Sequence, residues 1–96
     1  MPTITLNVHG LWTHWQPSQR EQNIHLPAVL DYVNKMQAGL PIKPISIEGV
    51  VGGEGGIYIR TLDGRHRLAA AHKLLRVTIE AEDTPVARQV QAIFNL

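Results

Sequence analysis

The stretch Ile57–Leu75, IYIRTLDGRHRLAAAHKLL, decides the fold, because it joins a strand to a helix through a turn crowded with positive charge. Apolar residues alternate along IYIRTL, which predicts a β-strand, and the Ala- and Leu-rich residues 66–75 predict a helix. Arg65, His66 and Arg67 then fall at the first turn of that helix, where the positive end of the helix dipole disfavours cations. The cluster indicates that a negatively charged ligand binds at this turn.

The residue types around this turn suit a phosphate group. Asp63 and Gly64 end the strand and open the helix, so the first backbone N–H groups of the helix lack partners within it. Gly64 permits a close approach of the ligand, and guanidinium groups form charge-assisted hydrogen bonds to phosphate. The same residues also fit a plain helix cap whose basic side chains are solvated or paired with nearby carboxylates. The candidate phosphate-binding residues are Asp63, Gly64, Arg65, His66 and Arg67, and His66 is also a candidate catalytic donor, acid or base.

The composition predicts one small globular domain. The chain has 96 residues, of which 44% are apolar and 18% charged, so it can bury a core and is not expected to be disordered. Cysteine is absent, which excludes disulfides, thiolate metal sites and thiol catalysis and favours a cytoplasmic location. No signal-peptide pattern or membrane-spanning apolar run is present, so no membrane contact is expected. A net charge of +1 confines any contact with a polyanion to a local site.

The rest of the sequence predicts strands and helices around the central unit. An alternating β-branched segment at residues 3–8 predicts a strand, whereas residues 9–23 have no clear period and predict mostly loop. Apolar residues from Leu26 to Met36 recur at helical spacing and predict a core helix. Further predicted elements are a strand at 42–50, a glycine-rich hairpin turn at 52–56, a strand at 76–82 and a last helix with Thr84 as N-cap and Pro85 as first residue.

The order of these elements is β, loop, α, β, β, α, β, α. It predicts a single α+β domain over residues 1–96, with a mixed β-sheet and flanking helices. The last helix carries an apolar stripe, which either covers its own sheet or pairs with a second chain. The sequence therefore leaves open whether the protein forms a homo-oligomer.

Three segments carry a resemblance to a known superfamily. PIKPISI at 41–47, GGIYIRTLDGRHRLAAAHKL at 55–74 and VTIEAE at 77–82 resemble the core of the ParB/sulfiredoxin superfamily. The DGRHR form is particularly similar to ParB-like nuclease and free serine kinase members, and QPSQRE at 16–21 is similar to the first ParB box. The resemblance covers about residues 12–82, and DGRHRLAAAHKL is its most specific part.

The resemblance implies a nucleotide-binding turn at Asp63–Arg67. The expected ligand is a nucleoside triphosphate, ATP or CTP, accompanied by magnesium. Glu21 belongs to the upstream box that lies against the nucleotide in the superfamily, which makes it a second candidate catalytic residue beside His66. Glu21 and Asp63 are the pair of carboxylates to test as oxygen ligands of magnesium, although a solvated loop carboxylate is the competing interpretation of Glu21.

Two departures from the superfamily pattern narrow the function. Arg65 stands where sulfiredoxins carry a reactive cysteine, which excludes sulfiredoxin activity. Arg65 also replaces the glutamate with which partition proteins assist the metal of their nucleotide. The chain ends soon after residue 82, so neither a helix-turn-helix nor a separate dimerisation domain is expected within it.

Several functions stay open from the sequence. The first is a nucleotide-binding domain with NTPase or nuclease activity in DNA, plasmid or phage biology. The alternative is a non-catalytic module whose basic turn docks DNA phosphates or a partner protein, and a third is a small-molecule kinase. Trp12 and Trp15 fit either core packing or stacking on a base. The histidines lack the spacing of a strong metal site, so no metal ligands are expected among them, and His72 is predicted to be half-buried or at the surface.

Overall fold

The computed structural model describes residues 2–15, 24–52 and 56–94, which form four strands and four helices around one core. None of these helices has the length and apolar character that crossing a bilayer requires. In chain order the elements are β1 (Thr3–Asn7), α1 (Val8–His14), α2 (Leu26–Gln37), β2 (Ser46–Gly52), β3 (Gly56–Asp63), α3 (Arg65–Lys73), β4 (Thr78–Glu82) and α4 (Pro85–Ile93).

The strands form two antiparallel pairs that a single residue connects. β1 pairs with β4, from Thr3 opposite Glu82 to Asn7 opposite Thr78, and β2 pairs with β3. Ile45 makes a parallel bridge to β4, with its N–H donating to the Glu80 carbonyl at 3.0 Å and its carbonyl accepting from the Glu82 N–H at 2.8 Å. The predicted mixed sheet requires parallel pairing. Among the described residues, parallel pairing occurs at this bridge and at one between Trp15 and Ile59.

The predicted hairpin is confirmed by the register of β2 and β3. The pairing runs to Gly52 opposite Gly56, and a bulge between Ser46 and Ile47 shifts the register at the other end of the hairpin. Residues 53–55, at the centre of the predicted turn, lie outside the described part of the chain. The α+β class is confirmed, and the predicted strands and helices occur in the predicted order with one further helix, α1, where a loop was predicted.

The prediction of a loop over residues 9–23 is wrong in its first part, where α1 forms. Asn7 caps this short helix by accepting a hydrogen bond from the Gly10 N–H at 2.7 Å, and Leu11 is fully buried. A Cβ at Gly10 would lie 2.7 Å from the ring of Phe94, so glycine is needed for packing here rather than for a turn. Residues 16–23 lie outside the described part of the chain.

The core lies between the strands and the helices. Small side chains at Ala69, Ala70 and Ala71 bring α3 against α1 and α2, and all three are buried. The predicted core stripe of α2 is correct for Val29, Val33 and Met36 but wrong for its outer members, because Leu26 and Leu30 are exposed. The largest fully buried side chains are Leu6, Leu11, Ile45, Ile59, Leu68 and Val8.

The last helix packs on strands of its own chain. The side chain of Thr84 caps α4 by accepting a hydrogen bond from the Ala87 N–H at 3.0 Å, and Pro85 lies in the first turn, as predicted. Val90 is buried against the core, and Gln91 donates from its side-chain amide to the Thr5 carbonyl of β1 at 3.0 Å. α4 thus covers β1 and β2 of its own chain, whereas Ile93 of its apolar stripe stays exposed and pairing with a second chain stays a prediction.

The turn after α3 holds a leucine in a strained conformation. Leu75 has φ +56°, its side chain is 85% exposed, and the Arg76 N–H bonds back to the Ala71 carbonyl at 3.0 Å. Glycine is usual at this position of a helix end, because a Cβ in the left-handed region costs on the order of 1 kcal/mol.

We therefore expect Leu75→Gly to raise the free energy of unfolding, by about 0.5–1 kcal/mol after the extra entropy of glycine in the unfolded chain. Leu75→Ala is the matched control, since it removes the exposed side chain but keeps the strained Cβ, and it should leave stability nearly unchanged. Urea unfolding of the three proteins measures the difference. An equal gain from both substitutions would show that exposure, and not backbone strain, sets the stability at this position.

Candidate functional site

The turn between β3 and α3 is built on Gly64. This residue is the N-cap of α3, with φ +112° and ψ +20°, in the left-handed region that favours glycine. A Cβ at this position would lie 2.5 Å from Cγ2 of Ile45, the residue that joins β2 to β4. The conformation and the close contact both require glycine, so the backbone of the turn is set against the centre of the sheet.

Arg67 holds the turn from inside the protein. It is 4% exposed, and its Nη1 donates to the Lys43 carbonyl at 2.6 Å and to the Pro44 carbonyl at 2.8 Å. Its Nη2 lies 3.0 Å from Oδ2 of Asp63, and Nζ of Lys43 lies 3.4 Å from the same oxygen. The guanidinium of Arg67 is therefore bonded within the chain, which agrees with the alternative that the basic side chains pair with nearby carboxylates. Its contact with a phosphate stays a prediction.

Asp63 is ionised and paired at neutral pH. Burial alone would raise its pKa, but the hydrogen bond and charge of Arg67, together with Lys43, hold the pKa below its ordinary value. An oxygen with two cations this close is a poor ligand for a divalent metal, because both repel the incoming ion. Within the described residues, no group of three or more His, Asp or Glu side chains is arranged to hold a metal.

His66 connects the turn to the start of α2. Its Nε2 accepts a hydrogen bond at 3.0 Å from the backbone N–H of His25, the N-cap residue of α2. Burial, followed by the charges of Arg65 and His25, lowers the pKa of His66, so the ring is neutral at neutral pH. Because Nε2 accepts, the proton of the neutral ring belongs on Nδ1. No pattern in the sequence predicts this contact with His25.

Arg65, in contrast to His66 and Arg67, has no hydrogen-bond or ion-pair partner among the described residues. Its Nε is buried, and the side chain makes no hydrogen bond or ion pair with the described part of the chain. No side chain there caps α3, and the first turn of α3 contains no acidic residue. The predicted site residues therefore separate into a supporting pair, Asp63 and Arg67, and an open group formed by Arg65 and the first N–H groups of α3.

Two other predicted features are placed differently. Glu21 lies outside the described residues, so its proposed role stays a prediction. Trp12 stacks on Trp15, with ring centroids 5.2 Å apart, and on His72 at 4.4 Å. All three side chains are half-buried, which favours packing over base stacking for the tryptophans and confirms the predicted exposure of His72.

The segment before β2 is the part of the site that the sequence analysis missed. Lys43, Pro44 and Ile45 form the wall against which Gly64 and Arg67 pack. Their residue types contain no signal for this role, because two of the three contribute backbone carbonyls, which every residue carries.

Comparison with solved structures now identifies the architecture. The chain is similar to sulfiredoxin from Arabidopsis thaliana over 100% of both chains, with a TM-score of 0.59 and 15% sequence identity. The fold is sulfiredoxin-like. No protein-family model matches the sequence, and no curated protein sequence matches it. At this identity the likeness shows the fold alone, and the sulfiredoxin-like chain described here contains no cysteine.

We expect Gly64→Ala to lower the free energy of unfolding by about 2–4 kcal/mol, the sum of left-handed strain and an overlap with Ile45. Gly39→Ala is the matched control, because Gly39 also has a positive φ, +72°, but a Cβ there would meet nothing within 4 Å. It should cost only the strain, about 1 kcal/mol. Urea unfolding measures both values, and equal losses would contradict the proposed contact with Ile45.

The bond between His25 and His66 makes stability depend on pH. The folded pKa of His66 lies below the ordinary 6.5, so protonation favours the unfolded chain. The stability that the neutral His66 ring contributes is complete above pH 6.5 and is lost as the pH falls through the folded pKa. We expect His66→Gln, which keeps an acceptor but takes no proton, to lose less stability than the wild type between about pH 7.5 and 5. Urea unfolding across that range measures the two slopes, and parallel slopes would contradict the assignment to His66.

Proposed function

We propose that the Asp63–Arg67 turn binds the phosphate groups of a nucleoside triphosphate. The observation that carries this proposal is the uncapped N-terminus of α3, which has no acidic residue in its first turn and lies beside Arg65, a cation without a partner in the described residues. Unpaired N–H groups and the positive end of a helix dipole attract an oxyanion. The sulfiredoxin-like fold is consistent with the proposal but does not by itself imply a ligand.

Each residue of the turn has a distinct part in the proposed binding. The first N–H groups of α3 would donate to phosphate oxygens, and the guanidinium of Arg65 would add charge-assisted hydrogen bonds. Gly64, which has no side chain, leaves the approach to these N–H groups open. Asp63 and Arg67 act indirectly, because their ion pair and the bonds of Arg67 to the segment before β2 keep the turn in shape.

His66 suits a binding role better than a catalytic one. Its Nε2 is held by the His25 N–H, and the neutral ring carries its proton on Nδ1, so neither nitrogen is free to accept a proton from water. The ring would donate from Nδ1 to a phosphate oxygen. NTPase or nuclease chemistry would then need a further group to position or activate water, and Glu21 is the candidate that the sequence supplies.

The magnesium that accompanies ATP or CTP would be held mainly by the phosphates. Asp63 fits a metal poorly, because Arg67 and Lys43 already face its carboxylate. Nucleotide binding of this kind would operate in the cytoplasm, in DNA, plasmid or phage biology. The same oxyanion chemistry would hold the phosphates of DNA, so the experiment must distinguish free nucleotide from DNA.

Thermal unfolding with ATP, CTP, ADP or a short DNA duplex, each with and without magnesium, tests the proposal. Ligand at a hundredfold excess over Kd should stabilise the protein by about 2.7 kcal/mol, which is on the order of 10 °C for a domain of this size. Arg65→Gln should abolish the shift, whereas Lys73→Gln, at the other end of α3, should retain it.

A shift that survives Arg65→Gln would overturn the site. A shift given by DNA and not by nucleotides would favour the non-catalytic docking module instead.

A further inference from the structure

The turn between α3 and β4 exposes apolar side chains at a strained point of the backbone. Leu75 is 85% exposed and Val77 is 67% exposed, and Leu75 has the left-handed φ of +56°. An apolar residue in this setting contributes little to the fold, since glycine would relieve the strain and a polar side chain would suit the solvent. Strain of this kind is retained where the residue serves another purpose. Leu75, Arg76 and Val77 are called the turn patch below.

Two cavities flank the turn patch. The first, of about 240 Å³, lies between the patch and the start of α1 and is lined by Val8, His9 and His72 beside Leu75 and Val77. The second, of about 280 Å³, lies between the end of α2 and β4 and has mixed walls, apolar at Met36, Leu40, Ile42 and Ile79 and polar at Lys43, Thr78 and Glu80. Arg76 lines both cavities and separates them.

The guanidinium of Arg76 is held in place but not neutralised. Its Nη2 donates to the Met36 carbonyl at 3.0 Å, and its other N–H groups make no hydrogen bond to the described residues. Among the described residues that line the cavities, Glu80 is the one carboxylate, and its Oε1 accepts from the Thr5 hydroxyl at 2.7 Å. The surface therefore combines one apolar recess and one recess of mixed polarity with a central cation that has no ion-pair partner among the described residues.

We infer that this surface docks a partner protein through one segment that carries two apolar side chains on either side of a carboxylate. The apolar side chains would enter the two cavities, and the carboxylate would pair with Arg76, which is exposed in the free chain and would be covered by the partner. Each cavity is smaller than the roughly 300–1,000 Å³ of small-molecule sites, so each suits a side chain better than a whole ligand.

Charge argues against a second copy of this chain as the occupant. A two-fold symmetric contact places the same patch on both sides, so Arg76 of one copy would face Arg76 of the other. Like charges brought together at an interface oppose association, whereas an acidic segment would neutralise the patch.

The inference does not depend on the proposed nucleotide site. That site lies at the N-terminal end of α3 and the turn patch follows its C-terminal end, about 13 Å away for a helix of nine residues. No residue of the Asp63–Arg67 turn lines either cavity. Failure of one proposal would therefore leave the other standing.

Selection of a random twelve-residue phage-displayed peptide library on the whole chain tests the inference. We expect the enriched peptides to share an aspartate or glutamate flanked by apolar residues. A synthetic peptide of that consensus, measured by isothermal titration calorimetry, should lose at least about tenfold in affinity with Arg76→Gln and with Leu75→Ser. Lys73→Gln and Leu62→Ser are the matched controls, a basic and an exposed apolar residue outside the cavities, and they should change affinity by less than about twofold.

Several outcomes would overturn the inference. These are a library without enrichment, a basic or wholly apolar consensus, and peptides whose affinity is unchanged by Arg76→Gln and Leu75→Ser. Sedimentation of the wild type as a dimer that Leu75→Ser dissociates would assign the patch to a second copy. Hexanoate that shifts the NMR signals of Ala71 and Ile79, in the absence of selected peptides, would assign the second cavity to a small amphipathic carboxylate.

Discussion

The rest of the structure depends on the hydrogen bonds and the ion pair of the buried Arg67 guanidinium. This group joins α3 to the segment before β2 through two carbonyls and closes the turn through Asp63. A charge this deeply buried is tolerated only when its donors are satisfied, and loss of one partner of such a pair costs about 3–5 kcal/mol. The same segment continues into Ile45, which connects the two strand pairs and contacts Gly64. One side chain thus sets the position of the helix that carries the candidate site.

This arrangement divides the basic cluster into residues that support the turn and one, Arg65, that is proposed to contact a ligand. Arg67 and Asp63 neutralise each other and keep the turn in shape, and His66 is fixed to the start of α2 by its acceptor nitrogen. Arg65 is left with a buried Nε that nothing in the described chain satisfies, beside the unpaired amides of α3. A buried polar atom without a partner is unfavourable, by about 1–3 kcal/mol, and an oxyanion at the turn would offset that cost. Ligand binding at the turn stays a proposal, and the described residues supply no group placed to activate water.

Helix α3 has a different surface at each of its ends. Its first turn is polar and positive and packs against the segment before β2, whereas its last turn leads to exposed apolar residues around Arg76. The alanines between them are buried, so the helix is a rigid element common to both surfaces. Lys43 belongs to both surfaces, since it pairs with Asp63 and lines the second cavity, and any further coupling between them would have to pass through the packed body of α3.

Contacts between neighbouring residues are readable from the sequence. They determined the order of the predicted strands and helices, the β2–β3 hairpin, the Thr84 cap and the need for glycine at the start of α3. Each of these depends on side-chain periodicity or on backbone preferences that adjacent residues reveal. Helix α1 escaped detection because it is short and contains Gly10, which disfavours a helix by itself and is explained only by its packing against Phe94, remote in sequence. Three basic residues in a row likewise gave no means of telling which one is buried. Only the tertiary structure decided that Arg67 is neutralised inside, whereas Arg65 has no partner in the described part of the chain, because the carbonyls that satisfy Arg67 come from a segment more than twenty residues away.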